Sequence, residues 1–596
     1  MALHPGRTLV ASGDAGARAS VHVWDTRTLA TEAVLAGGQR DGIGAIAFTP
    51  DGSLLACADL SPQHTIALWN WRAATLLSLT RGGAGAVLGL VFSPKDSSMV
   101  SFGQRHVRFW SRPLVGSGGG GGGWSARKGA FGAAGAQTVL CAAFVPSTAA
   151  LLTGTSRGML LEWTGHTVSR AVRLHSQWPI FAIAISAEGV AVGGRGGRLL
   201  VWPAGSTPMD PQLAKPVDLA QLATGLTDEY GRLRCLLTGD APCVRALAFA
   251  RGTLLLVTRA GELWQLGGAA PQCRLLLQGH CALRAPSAHE HGGGARSELW
   301  ALAAHPQRAE LFVTAGDDCT VRVWDAAACA MQCMRRVRAA PQCAAFSPDG
   351  TLLAVGGADG TTLLLEPDSL TELPIRPSAP HAGEVTALAF TPDSALLAVG
   401  YADGSVEVHS AFAERGAREP LRLLGAHVGA ARSLDWSEDG SLLQSCCEGM
   451  VLAWWDVEGG GERIIDAEQV SDVEWATWTA PVGWPVVGIL PQLSDGTDVH
   501  GVSRSNGRHL VATADDFGKL NLFAYPSAVA GSACRVGAAH AGHVSNVCWS
   551  CDDSRLFSTG GADMTVLQWR VGRTNNRLDP IDMPVGVSRA FDNERG

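Results

Sequence analysis

A single unit recurs along this chain and limits what it can fold into. A short apolar strand ends in a large residue, a Ser/Thr-Pro-Asp-Gly turn follows, and a second apolar strand returns. The unit reads Ala45-Ile46-Ala47-Phe48-Thr49-Pro50-Asp51-Gly52, and it recurs at Phe92-Ser93-Pro94, Phe144-Val145-Pro146, Phe346-Ser347-Pro348-Asp349-Gly350, Phe390-Thr391-Pro392-Asp393, Trp436-Ser437-Glu438-Asp439-Gly440 and Trp549-Ser550-Cys551-Asp552. Weaker copies lie at Ile185-Ser186, Phe249-Ala250, Ala304-His305-Pro306 and Val502-Ser503, and Leu3-His4-Pro5 matches the middle of one. Proline presets φ, aspartate tolerates turn geometry and glycine supplies positive φ, so each copy is a hairpin. The copies repeat about every 50 residues, and the shortest intervals match the roughly 40–45 of a four-stranded propeller blade.

The second half of the unit ends in tryptophan: Val23-Trp24-Asp25, Leu68-Trp69-Asn70, Phe109-Trp110, Val201-Trp202, Val323-Trp324-Asp325, Trp454-Trp455-Asp456 and Gln568-Trp569. Tryptophans scattered through unrelated cores would not keep this station. A single blade cannot bury both faces, so blades must stack radially. The expected fold is all-β: tandem WD40-type β-propellers with about twelve recognisable blades in two propellers. With 596 residues the chain exceeds the roughly 250–300 at which one core stops growing. The expected division is residues 1–275, with a short or missing first strand, residues 276–575, and a polar tail 576–596 expected to be disordered. Residues 116–123, 204–240 and 282–297 read as inserted loops.

Two blades carry a polar set that can lock a blade by a buried hydrogen-bond network. In one, Thr314 and Asp318 precede Trp324. In the other, Thr559 and Asp563 precede Trp569, and Gly542-His543 opens the blade. These residues are read as structural, with a catalytic His–Asp pair as the minor reading.

Composition excludes several classes. Net charge is −7 with 17% charged residues, which gives no electrostatic footprint for nucleic acid or an anionic membrane surface. No signal peptide and no run of 18 apolar residues is visible. The 15 cysteines are an ordinary fraction, several at strand positions, and a reducing compartment is expected. Cys548-Trp549-Ser550-Cys551 has no second C-x-x-C at zinc spacing, so repeat register explains it. His289-Glu290-His291 reads as a solvated loop. Asp472, Glu474, Asp495 and Asp498 read as loop and blade-locking groups rather than an acid–base pair. No nucleophile–base signature appears. No catalytic residue, metal site or cofactor is expected, and the chain is read as non-enzymatic.

Residues 471–527 depart from a generic propeller. The run Ser471-Asp472-Val473-Glu474-Trp475-Ala476-Thr477-Trp478, then Gly483-Trp484-Pro485-Val486, Ser494-Asp495-Gly496-Thr497-Asp498 and Ala514-Asp515-Asp516-Phe517-Gly518-Lys519, resembles the echinoderm microtubule-associated protein-like family. Signature positions are Trp475, Trp478, Asp495, Gly496, Asp498, Asp515, Asp516, Phe517 and Gly518. Glu298-Leu299-Trp300 and Gly542-His543-Val544 add support. The resemblance implies a tandem atypical propeller that binds tubulin or microtubules, placed in the cytoplasm at the cytoskeleton, with a cilium as one setting. The family's HELP motif and N-terminal coiled coil are not visible in this sequence. Other proteins are expected to bind through propeller rims, with no nucleic-acid or membrane partner. The alternative is a WD scaffold in a multiprotein complex without tubulin contact.

Overall fold

The structure, a computed structural model, describes residues 1–571 apart from 15, 17–18, 29, 84, 97, 112–123, 175–177, 205–208, 220–242, 251, 260, 268–271, 281–297, 374–380, 382, 412–419, 426, 491–498 and 539. The expected tail, the Gly116–Gly123 run and His289-Glu290-His291 lie outside these residues.

Each repeat folds into one antiparallel sheet whose strands, here called a to d, follow one another in chain order. There are twelve sheets: ten have four strands, and two, beginning at Pro341 and Val544, have three among the described residues. The a strands are Ala2–Leu3, Ile43–Phe48, Val87–Phe92, Val139–Phe144, Ile180–Ser186 and Val244–Ala250, then Leu299–Ala304, Pro341–Phe346, Val385–Phe390, Ala431–Trp436, Val499–Arg504 and Val544–Trp549. The repeated large residue marks the end of most of these strands. The chain divides into two compact units, the first running through Gln278 and the second starting at Gly279. Sheets 1–6 belong to unit 1 and sheets 7–12 to unit 2.

The turn after strand a is built as its composition dictates. Ser347 Oγ donates to Asp349 Oδ1 at 2.5 Å, the Thr351 and Leu352 N–H groups donate back to Asp349 and Ser347, and Gly350 takes φ 72°. The same hydroxyl–carboxylate pair recurs at Thr49–Asp51, Thr391–Asp393, Ser437–Asp439 and Ser550–Asp552. Donation from Thr49 and Ser53 brings Asp51 down to about 2.

Successive sheets within a unit pack through their a strands. Their cores are aliphatic and tryptophan-rich, as in the cluster of Val406, Val408, Leu434, Trp436, Leu443 and Trp455. Burying each such aliphatic side chain contributes about 1.5–3 kcal/mol. Cys141 and Cys343 sit among these strands, where burial pushes both thiols up to about 12. They act as small apolar groups.

Unit 2 closes into a ring. The Leu299 N–H donates to the Gly561 carbonyl at 3.2 Å, Ser545 Oγ donates to the Leu299 carbonyl at 2.5 Å, and Phe312 stacks on Phe557 at 4.4 Å. Closure buries the faces of the unit's first and last sheets against each other, with Leu302, Phe312, Ala326 and Phe557 between them.

Candidate functional site

Three groups of polar and aromatic residues stand out: the indole locks, an irregular wedge in unit 2, and the b–c turns. The locks follow one geometric rule. The hydroxyl two residues past the tryptophan's cross-strand partner accepts the indole N–H. The pairs are Ser12–Trp24 at 3.2 Å, Ser101–Trp110 at 2.9 Å, Thr153–Trp163 at 2.9 Å, Thr314–Trp324 at 2.7 Å, Ser445–Trp455 at 2.8 Å and Ser558–Trp569 at 2.8 Å. Sheet 6 varies the scheme: buried Glu262 accepts from Thr258, Trp264 and Gln278 at 3.0–3.1 Å.

In sheet 7 the expected Thr314, Asp318 and Trp324 come together with a fourth residue. His280 reaches Asp318 Oδ2 and Thr314 Oγ1, each at 2.8 Å, and Arg322 reaches Asp318 at 3.2 Å. Burial alone would raise Asp318, but the His280 hydrogen bond and the Arg322 charge outweigh it and hold the carboxyl below its ordinary range. Burial lowers the His280 pKa, against the raising effect of Asp318, and the Arg322 charge lowers it further. The Gly279-His280 dipeptide was the available sequence signal.

In sheet 12 the expected set is corrected at two positions. Asp563 and Trp569 take part, but with His540 and Ser558. His540 contacts Ser558 and Thr565, each at 2.9 Å, and lies 3.4 Å from Asp563. Thr559 faces the opposite way and bonds Ser545 at 3.0 Å. His543 instead lies 3.5 Å from Glu298 and near Trp300. The b–c turn here is longer than in sheet 7, so counting back from Asp563 lands one residue late, on the other face of the strand. Counting through the ladder from the Trp569–Leu556 pair lands on Ser558.

The wedge is the stretch that sets this chain apart from a plain repeat. Elsewhere in unit 2 neighbouring a strands meet directly, but residues 474–479 fill the space between Ala431–Trp436 and Val499–Arg504. Asp435, fully buried, accepts from Thr477 Oγ1 at 2.6 Å and from the Thr479 N–H at 2.9 Å. Burial is the largest influence on Asp435 and raises its pKa. On the other side Arg504 Nη2 donates to the Trp475 and Ala476 carbonyls at 2.6 and 2.9 Å. Trp475 and Trp478 are buried with Val486, Ile489, Val502 and Phe523. Glu474 pairs with Arg508 at 3.0 Å. Asp435 was missed in the sequence because it sits in an ordinary strand, and Arg504, part of the family-like Ser503-Arg504-Ser505 run, had no role assigned there.

The remaining signature residues form the b–c turn of sheet 11. Asp515 accepts from the Phe517 and Lys519 N–H groups at 2.9 and 2.8 Å, and Asp516 contacts His500. Gly518 has φ 74°, and a Cβ there would come within 2.6 Å of the His540 carbonyl oxygen. Phe517 is 68% exposed and Trp484, in the short 3-10 helix Trp484–Ile489, is 65% exposed. Asp495, Gly496 and Asp498 lie outside the described residues. Among the described residues no group of three His, Cys, Asp or Glu could hold a metal ion, and no helix is long and apolar enough to cross a membrane.

Radially packed sheets of mostly four strands in two successive units, half of them with hydroxyl–indole locks, define a tandem WD-type β-propeller protein. Two family profiles match it: the echinoderm microtubule-associated protein first β-propeller over residues 1–255, and the second β-propeller over residues 299–571. Mouse echinoderm microtubule-associated protein-like 2 is 31% identical over 96% of this chain and 83% of its own length. Human echinoderm microtubule-associated protein-like 3 is 29% identical over 96% of this chain and 62% of its own length, and human echinoderm microtubule-associated protein-like 4 is 27% identical over 96% of this chain and 56% of its own. The chain belongs to the echinoderm microtubule-associated protein-like family. It spans 62% of the human type 3 relative.

Proposed function

We propose that this chain is a non-catalytic module that binds tubulin or microtubules at the cytoskeleton. The observation that carries the reading is the family membership, which extends over both propellers and includes the wedge and the Asp515–Gly518 turn. The polar clusters support a binding role rather than catalysis. Asp435, Asp318 and Asp563 are each occupied by hydrogen bonds that hold sheets together. What remains on the outside is rim: loops and exposed aromatics such as Trp484 and Phe517 on a rigid scaffold, the arrangement that suits protein recognition. Such a protein works in the cytoplasm, a cilium being one setting.

Co-pelleting with polymerised microtubules, run beside capture of soluble tubulin dimers, tests the reading. Saturable binding in either assay is expected. No binding in both, with a tubulin-free complex recovered by affinity purification, would leave the scaffold reading in its place.

A further inference from the structure

The b–c turns of the two propellers occupy the same structural station, yet in sheets 3–6 of unit 1 they carry the charge opposite to unit 2, while sheets 1 and 2 keep Asp14 and Asp59 there. The station is defined by one backbone bond per sheet, from the N–H just after strand b to the carbonyl just before strand a. In unit 1 it runs from Gln104 to Ala86, Ser156 to Thr138, Arg195 to Pro179 and Arg259 to Cys243, at 2.8–3.3 Å. In unit 2 it runs from Asp317 to Glu298, Ala358 to Ala340, Ala402 to Glu384 and Glu448 to Ala430, all at 2.9 Å.

At or next to that station unit 2 places Asp317, Asp318, Asp359, Asp403, Glu448 and Asp516. Several of these acids build the turn itself. Asp318 accepts from the Thr320 N–H, Asp359 from Thr361 and Asp403 from Ser405, at 3.0–3.2 Å. An arginine cannot accept, so it cannot do that work. Four consecutive sheets of unit 1 nevertheless carry arginine there: Arg105, Arg157, Arg195 and Arg259, all exposed. None pairs with a carboxylate among the described residues. Among the described residues the carboxylates at that end of these sheets include Asp218, which has a partner of its own, and Glu262, buried in its own lock.

The surroundings of this arc are those of a contact surface. Antiparallel pairing sets the starts of the a strands at the same end, and each of these four starts with a bulge that adds one residue: Leu88, Leu140, Phe181 and Arg245. Arg245 lies 4.8 Å over the Phe181 ring. Arg195, Arg245 and Arg259 are close enough together that all three act on the Cys243 thiol. A cavity of about 240 Å³ opens between the third and fourth sheets, lined by Gln104, Arg105, Gln137, Thr138, Ser156 and Arg157. Like charges gathered without partners are destabilising on their own, and an anion bound across them relieves that cost. Guanidinium forks fit carboxylates bidentately.

We propose that the arginine arc on the b–c turns of sheets 3–6 of unit 1 is a docking surface for an acidic peptide segment rich in Glu or Asp. This inference stands apart from the tubulin reading, because it rests on the arc alone.

Fluorescence anisotropy of a labelled deca-glutamate peptide titrated with the full chain tests it. The expected result is salt-sensitive binding that weakens by about tenfold or more in R157E/R195E. The charge-matched double R27E/R170E, away from the arc, should bind as the parent does. If R157E/R195E fails to fold by thermal melt, R157Q/R195Q takes its place, with a smaller loss expected. Three outcomes overturn the proposal: no peptide binding at low ionic strength, equal loss in both doubles, or tighter binding of a deoxythymidine decamer than of the peptide. Co-pelleting with microtubules is scored separately, so failure of either reading is visible without the other.

Discussion

The two propellers share a sheet plan but hold it together differently. In unit 1 the locks among the described residues are mostly pairs, such as Ser101–Trp110 and Thr153–Trp163, with Glu262 as one carboxylate centre. In unit 2 they grow into charged networks, His280–Thr314–Asp318–Arg322–Trp324 and His540–Ser558–Asp563–Trp569, and Asp435 ties in the wedge. A network spends the b–c turn's acid on the fold. Where unit 1 does without the network, the turn is free to carry arginine. At one structural station, then, the side chain accepts hydrogen bonds from its own blade in sheets 7–9 of unit 2 and is an exposed arginine in sheets 3–6 of unit 1.

The contrast can be broken in order of expected size. Asp318→Ala should cost about 3–5 kcal/mol, because it removes the carboxylate that Arg322, whose side chain is 2% exposed, and His280 share. Urea unfolding resolved by hydrogen exchange should show unit 2 weakening while unit 1 is unchanged. An equal loss in unit 1 would refute the assignment of the network to one propeller. Glu262→Ala should cost about 1–3 kcal/mol by taking the shared acceptor from the buried Thr258 and Trp264 donors. Here the loss should appear in unit 1 only.

A third pair of variants checks the corrected lock of sheet 12. His540→Ala should cost about 1 kcal/mol or more, since two hydroxyls lose a buried partner. His543→Ala, at a partly exposed site, should stay within about 0.5 kcal/mol. The reverse ranking would restore His543 to the lock.

The smallest effect is the pH dependence. Burial holds His280, His305 and His427 of unit 2 below their ordinary 6.5, whereas in unit 1, among the described residues, only His106 is so held. A depressed histidine contributes stability that is present above 6.5 and lost as pH falls through that value towards its folded pKa. Asp563 and Asp318, held below 3.8 against the opposing effect of burial, add stability lost at more acid pH. Melting curves from pH 8 to pH 5 should show the unit 2 transition falling further than that of unit 1. Parallel shifts would mean that the histidine networks do not distinguish the units.

The sequence alone determined the blades. Turn composition and tryptophan spacing are local properties, and each fixes a hairpin without reference to distant residues. The resemblance carried in 471–527 likewise needed no coordinates, since it is a pattern of residue types. Thr314, Asp318 and Trp324 were legible because a short turn keeps them in step.

The tertiary structure decided what depends on loop path and register. His280, not visible as a partner until its loop is placed, completes one lock. Ser558 displaces Thr559 because a turn longer by one residue in the ladder moves the count onto the opposite strand face. Asp435 and Arg504 become a clamp only when residues 474–479 slot between two a strands far apart in sequence. The arginine arc has no sequence motif, because its members are separated by whole blades. Only ring packing brings those turns to one face, since radial stacking makes neighbours of residues at equal stations rather than of residues close in the chain.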